Sequence, residues 1–462
     1  MSQYTLQSPT INTDGVSFWA LVNPDSTVIP FEFTGWKDEV RAWQDNSYIG
    51  AAISDTIFPY DITGKGAKEF MKKYFVNNFE NVTWGKSKHG MMLNPNGNIA
   101  GDGVVLPVSE EKYITTSCWP YIQYCLDREH ASGNMLDVEG VFNPESFIMY
   151  QVGGPRSLEI IERATGEDFH DLEYLCFRDS TIAGCHVRVL RLGMAGTLSY
   201  EVHIQSYEYC EPVYGALIAA GEKYEARRLG YHAYMMNHTE NGFAQSYYHF
   251  LYDYRGLEGL EEWCTETGND WVLGLLEPAT MMGSEQDSTL CYVSPFDIDW
   301  GYLCAFKNHD FVGKEAALAR KASRKRFVTL EWNADDIADI VRSQFDGSAE
   351  PYQDITDNVN DYLYFNAFAG FVPMAVDQVF SLEGKRIGSS RGRSRIEHYH
   401  TMVSLCDIDP EFAEEGTEVK VVWGTPDHPQ KDVRAKVAKF PYLRLPANAD
   451  FDVSTVPHGN VD

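Results

Sequence analysis

The chain has 462 residues, is 44% hydrophobic and 13% aromatic, and carries 67 acidic against 38 basic side chains for a formal charge of −29. That is enough apolar material for two or three cored domains and too much for a disordered chain. The charge argues against a nucleic-acid binder, which needs a basic face, and against docking on anionic lipid. Met1 to Ile11 is polar, with no basic region leading into an apolar core, so no secretory signal is expected. No apolar run approaches the roughly 18 residues of a membrane span. Nine cysteines are scattered without a CxxC pair, which implies reduced thiols and a cytoplasmic protein.

In chain order, Trp36 to Asn46 sets Val40 and Trp43 among charges, and Ser47 to Ile62 reads as strands. Gly64-Lys65-Gly66 opens a helix through Ala67 to Tyr74. Met91 to Leu106 reads as a hairpin around Asn94-Pro95-Asn96-Gly97. A strand at Tyr113 to Thr116 and a helix near Pro120 to Asp127 follow. Phe147 to Val152 is a strand ending at Gly153-Gly154-Pro155, and Arg156 to Thr165 is an amphipathic helix.

The most informative stretch runs from Gly184 to Ile204. Val187, Val189 and Leu190 form an apolar, β-branched run, Gly193 and Gly196 break it, and Tyr200, Val202 and Ile204 alternate again. This predicts two strands about a glycine bend, with Glu201 on the face opposite the apolar residues. Taken alone, the pattern allows an ordinary hairpin with a solvated glutamate, or a carboxylate placed to accept two N–H bonds from a flat heterocycle. A helix from Tyr209 to Glu225 follows.

The first 230 residues thus show two similar halves, each β-rich with helices. The expected class is α+β and not a doubly wound parallel sheet, which would need regular βαβ alternation. Gly230 to Trp300 has weak periodicity and many aromatics, and reads as long loops of the kind that line a ligand site. Lys321 to Arg326 reads as a linker. Strands at Phe327 to Trp332, Val376 to Leu382 and Val419 to Trp423 suggest a small β-barrel. The expected division is 1–320, a barrel over 327–445, and a loose tail over 446–462.

Several segments carry a resemblance. Arg191 to Glu201 resembles the RxGxxGxxxxE strand pair of the glycine-cleavage T-protein (aminomethyltransferase) family. Gly154-Pro155-Arg156-Ser157 resembles its GPxAxxLL helix start, and Asp310-Phe311-Val312-Gly313-Lys314-Glu315-Ala316 its DFIGKEAL signature. Gly384 to Gly388 and Gly416 to Val419 resemble elements of its C-terminal barrel. The family's fold is a cloverleaf of two β-rich α+β subdomains plus that barrel.

Within the family the chain is most similar to the tetrahydrofolate-dependent aryl O-demethylases, which act on vanillate and syringate. Ala233 to Phe243 resembles their AYxxNxxExG(W) loop, Tyr292 to Ile298 their YVNPYEIG, and Trp36…Glu39…Trp43 their WxxExxAW.

The resemblance implies tetrahydrofolate as cofactor and a small, aromatic methyl donor as partner. Glu201 then holds the pterin ring, with Tyr200 beside it. Phe243 stands where the family has tryptophan and can stack on a ring. Asp102, in a GDG hairpin, matches an acidic motif that faces the folate nitrogens; read alone it is a turn residue of a bulged strand. Tyr234 matches the family's tyrosine that contacts the substrate oxygen, and a general acid there would meet charge developing on the leaving phenoxide; read alone it is an aromatic wall.

One departure bears on the substrate. The aryl demethylases carry a His after their first helix and an Arg after the GDG hairpin, whereas this chain has Asp55 to Pro59 and Ile114 to Cys118 there. Without those cations a neutral methoxy-arene, a methylenedioxy compound or an S- or N-methyl donor fits better than an aryl carboxylate, and a non-catalytic folate-binding protein is a further alternative. His232, His238 and His249 lie near Tyr234 in sequence, and one could replace the missing His. His398-Tyr399-His400 alternates as on a strand and could chelate, but a lone HxH pattern reads as structural, so no metal is expected. Gly388 to Arg393 reads as a barrel turn near the folate tail.

Overall fold

The computed structural model describes residues 14–21, 28–50, 57–82, 84–133, 136–307, 309–347, 349–356 and 373–459. The turn at Asn94 to Gly97 pairs Lys88–Leu93 with Ile99–Ser109, antiparallel, so that Met91 faces Asp102. These two strands open a five-stranded antiparallel sheet that continues through Lys112–Thr115, Tyr60–Thr63 and Glu139–Phe142. Helices Ala67–Tyr74 and Tyr121–Ala131 pack on it.

The second sheet has six strands, in the order Phe177–Ile182, Cys185–Leu190, Ser199–Ile204, Ile148–Gly153, Tyr48–Gly50, Arg227–Leu229. Only the last pairing is parallel. Helices Ser157–Thr165 and Cys210–Glu222 cover one face. Tyr48–Gly50, which the sequence order assigns to the first half, lies in this second sheet, so the two halves interlock.

The halves repeat one local device. Tyr60–Thr63 and Ile148–Gly153 each end at a left-handed glycine, Gly64 (φ +118°) and Gly154 (φ +112°), and a helix starts three residues on. A Cβ on Gly64 would run into the Asp137 carbonyl, and one on Gly154 would sit 2.8 Å from the Ser47 Cα. Both turns therefore need glycine for conformation and for space. The faces away from the helices meet each other. Leu106 and Ile114 of the first sheet pack with Met149, Phe177 and Leu190 of the second and with Phe147, just before its Ile148–Gly153 strand, each such burial contributing roughly 1.5–3 kcal/mol.

The C-terminal region closes a six-stranded barrel of Arg326–Trp332, Thr401–Ile408, Arg386–Ile396, Val376–Phe380, Glu418–Trp423 and Lys431–Ala438, the last strand returning to the first. Gly388 to Arg393, expected as a turn, lies inside the long Arg386–Ile396 strand. There Arg391 is buried and pairs with Asp407 at 2.9 Å. The Lys321 to Arg326 segment is a single turn of 3-10 helix followed by the first barrel strand.

Two further expectations change. Gly230 to Trp300 is not all loop: it contains helices Tyr231–Glu240 and Leu260–Thr267. All ten residues of the first are buried, and a helix enclosed on every side shows no polar stripe for a periodicity reading to find. The tail is not loose over 446–459. Asn448 donates to the Ser199 carbonyl at 3.0 Å and its own carbonyl accepts from Arg191 at 2.8 Å. Among the described residues no helix is long and apolar enough to cross a membrane, and all nine cysteines are free.

Candidate active site

Glu201 sits mid-strand opposite Leu190 and Gln151, on the sheet face that looks toward the first sheet. It is 3% exposed. Its Oε2 is 2.9 Å from His203 Nε2, and its Oε1 accepts a long 3.4 Å bond from Gln151 Nε2. Burial holds His203 below its ordinary value against the pull of Glu201, so the ring is neutral at pH 7 and Nε2–H donates. A carboxylate offers about four acceptor positions, and this one keeps capacity for a further donor. The Tyr48 hydroxyl bonds Gln151 Oε1 at 3.3 Å; burial first, and then the Glu201 charge, push that phenol far above its usual range.

Tyr200 does not share this site. Its side chain points to the other face of the same strand, into the core with Leu158, Ile161 and Val202. Burial raises its hydroxyl, which has no hydrogen-bond partner among the described residues.

Asp102 lies in regular strand register, opposite Met91. Its Oδ2 is 2.8 Å from His89 Nε2, and its Oδ1 accepts from the Tyr252 hydroxyl at 2.9 Å. The flanking glycines explain the GDG pattern: a Cβ on Gly103 would strike the Thr116 carbonyl, and one on Gly101 would come within 3.3 Å of the Cys118 Cα. In the Ile114 to Cys118 stretch, which carries no cation, Cys118 is buried, its thiol raised by burial and then by Asp102. The other departing stretch is described only from Ile57 onward, with Phe58 5.7 Å from Trp119; Asp55 and Thr56 lie outside the described residues.

Phe243 joins the Asp102 pair to the buried helix. Its ring centroid is 5.3 Å from His89, 5.1 Å from Trp300 and 6.3 Å from His238. Tyr234, Asn237 and His238 fall on one face of the helix by their spacing, and Tyr234 and His238 make an edge contact at 4.9 Å. Tyr48 and Tyr234 belong to one buried cluster. Glu201 thus links through Gln151 to Tyr48, which shares a buried cluster with Tyr234, and Tyr234 links through His238, Phe243 and His89 to Asp102.

The helix holds unsatisfied groups. Asn237 is 1% exposed, yet both its amide atoms lack hydrogen-bond partners among the described residues. His238 Nδ1 donates to the Tyr234 carbonyl at 3.1 Å, leaving Nε2 as an acceptor without a bond of ordinary geometry, though the Gln245 side chain is close. An orphaned buried polar group costs about 1–3 kcal/mol, so a cluster of them fits a bound polar heterocycle better than a finished core.

Of the other histidines, His249 is fixed by the Gln245 N–H at Nδ1 and by Thr239 Oγ1 at 3.2 Å, and His232 by Glu32 at 2.7 Å. The expected strand at His398-Tyr399-His400 is a 3-10 turn; His398 pairs with Glu240 at 2.7 Å and His400 has φ +53°, so the two do not chelate together.

His238 makes the site pH-sensitive. Burial lowers it from 6.5 to about 4. Between these values the unfolded chain binds the extra proton, so stability is full above pH 6.5 and falls as pH drops toward 4, by about 3 kcal/mol. Thermal melts from pH 7 to pH 4 should show a markedly flatter decline for His238→Gln than for the unsubstituted protein.

Sequence reasoning missed His203, Gln151, His89, Trp300, Tyr252 and Asn237. Three had a signal: Asn237 stands at the Asn of the AYxxNxxExG resemblance, three residues beyond Tyr234, His203 is two residues beyond Glu201 on a strand and must share its face, and hairpin counting from Asn94 to Gly97 brings His89 near Asp102. The others arrive from separate elements.

Comparison with known proteins agrees with this architecture. The GCVT N-terminal domain model matches residues 28–252. Sesamin methylene transferase of Sinomonas sp. (strain No.22) is 38% identical over 94% of both chains. Syringate O-demethylase of Sphingobium sp. (strain NBRC 103272 / SYK-6) is 27% identical over 90% of both. The crystal structure of the glycine cleavage system aminomethyltransferase T from Bartonella henselae superposes with a TM-score of 0.63 at 13% identity, covering 94% of this chain and 96% of that one. The interlocked sheets, the barrel and these similarities place the chain in the glycine-cleavage T-protein family.

Proposed function

We propose that this protein is a tetrahydrofolate-dependent one-carbon transferase whose donor is a small aromatic ether, a methoxy group giving 5-methyltetrahydrofolate. The observation that carries the reading is the buried Glu201 carboxylate with spare acceptor capacity, together with the unsatisfied Asn237 and His238 groups of the buried helix. Bound tetrahydrofolate supplies N5 as the nucleophile that accepts the carbon.

The protein's own groups have separable tasks. Glu201 accepts ring N–H groups and orients the cofactor, and Asp102 with His89 faces the reacting nitrogens and can hold a proton. Phe243 and Trp300 exclude water and offer ring faces. Tyr234 meets the leaving oxygen as general acid, and fixing donor and acceptor in line supplies much of the rate. In this reading residues 1–320 are the catalytic region, the barrel over 327–445 closes it, and the free cysteines suit a cytoplasmic location.

A second reading is favoured by two observations. The relative that is 38% identical is named a methylene transferase, and the Ile57 to Pro59 and Ile114 to Cys118 stretches hold no cationic side chain for an aryl carboxylate. The donor would then carry a methylene bridge and the product would be 5,10-methylenetetrahydrofolate. Purified protein, tetrahydrofolate and a panel of methoxy- and methylenedioxy-arenes, analysed by mass, decide the matter. Methylated folate supports the first reading and methylene-folate the second. No folate binding by calorimetry overturns both.

A further inference from the structure

Behind the Glu201 strand, on the helix-covered side of the second sheet, four side chains converge: Glu162, Asp168, His170 and His458, with one donor atom from each lying within 4.8 Å of all the others. Three belong to the Ser157–Thr165 helix and the loop after it, and His458 comes from the C-terminal tail. We propose that this cluster is a zinc site that clamps the tail onto the second subdomain.

The spacing suits a small tetrahedral ion. His170 Nδ1 is 2.7 Å from Glu162 Oε1 and 3.1 Å from Asp168 Oδ1. His458 Nδ1 is 3.6 Å from Glu162 Oε2 and 3.8 Å from Asp168 Oδ1. Metal bonds of about 2.0–2.1 Å set tetrahedral ligands about 3.3 Å apart, a spacing the His170 pairs already approach, and the half-exposed His458 ring, now 3.9 Å from that of His170 between centroids, turns away from it to complete the sphere. Two imidazoles and two carboxylates suit zinc, whereas magnesium and calcium prefer all-oxygen sets.

The surroundings hold the ligands as a metal site requires. His170 Nε2 is 2.9 Å from the Val456 carbonyl. A carbonyl only accepts, so Nε2 carries the hydrogen and Nδ1 faces the two carboxylates. That contact needs a cation on Nδ1, either a proton or a metal, and zinc binding releases the proton to solvent. A ligating imidazole anchored through its other nitrogen to a carbonyl is the usual supporting arrangement. Glu162 is fully buried, and each of its oxygens is fixed by a main-chain N–H: Oε1 by Phe169 at 2.9 Å, Oε2 by Gly459 at 2.8 Å. Arg178, close by, bonds the Asp168 carbonyl and the Asp171 carboxylate. The His458 side chain is 46% exposed, which leaves a route for the ion to enter.

The test uses the full chain freed of metal with EDTA, then given zinc chloride, with magnesium chloride as control. One zinc per chain after gel filtration is expected, together with about tenfold slower hydrogen exchange over 453–459. His458→Ala should lose on the order of a hundredfold in zinc affinity while folate binding stays unchanged. Should His170→Ala fail to fold, His458→Ala, on a half-exposed side chain, carries the test alone. No zinc uptake, or uptake that His458→Ala leaves intact, overturns the proposal and leaves a protonated His170 as the cation.

Discussion

Glu201→Ala is expected to abolish measurable tetrahydrofolate binding, with a loss of roughly thirtyfold to several thousandfold in affinity by calorimetry. The carboxylate is buried and charged, and removing one partner of a buried, hydrogen-bonded charge typically costs about 2–5 kcal/mol. The fold should survive, because the side chain lies between two sheets that are joined by their own apolar contacts. The change also frees His203 Nε2 and Gln151 Nε2 from their acceptor. Some stability will therefore be lost, so near-ultraviolet circular dichroism and a thermal melt belong beside the binding curve. A folded variant that keeps its affinity would remove Glu201 from the site and, with it, the main support for the folate reading.

Tyr234→Phe separates binding from chemistry. Loss of a positioned proton donor lowers turnover by about 10²–10⁴-fold, while the ring and its edge contact with His238 remain. Folate affinity should hold within a few-fold, and kcat should fall with little change in KM. The effect should shrink for donors with better leaving phenoxides, which need less help from an acid. An undiminished rate would make Tyr234 a wall residue. Undiminished affinity with no turnover in the unsubstituted protein would favour a non-catalytic folate binder.

What could be read in the sequence depended on how local the determinant was. The hairpin at Asn94 to Gly97, the helix after Gly66 and the strand pair ending at Glu201 are set by turn residues and alternation within about 20 positions, and all three stand in the structure. The Tyr231–Glu240 helix was hidden because its surroundings come from the N-terminus, the barrel and residue 443, leaving it no polar side. The exchange of Tyr48–Gly50 into the second sheet was hidden for a related reason, since a three-residue strand carries no record of its partner. The site divides along the same line. Glu201 was legible as a motif, whereas Gln151 and Trp300 gain meaning only from what surrounds them.

The Glu240 carboxylate bears on how such a chain can be rebuilt. It is fully buried, with one oxygen 2.7 Å from His398 of the barrel region and the other 2.9 Å from the Trp43 indole. Its main-chain carbonyl receives the Leu443 N–H. Two distant stretches of chain thus meet on one anion and a third on the same residue's main chain, and stranding such a charge costs about 3–5 kcal/mol. A chimera that borrows a relative's barrel must therefore import the partners of Glu240 with it, and a barrel excised alone loses the partner of His398. Modules that look separable along the chain are, at this point, a single heritable unit.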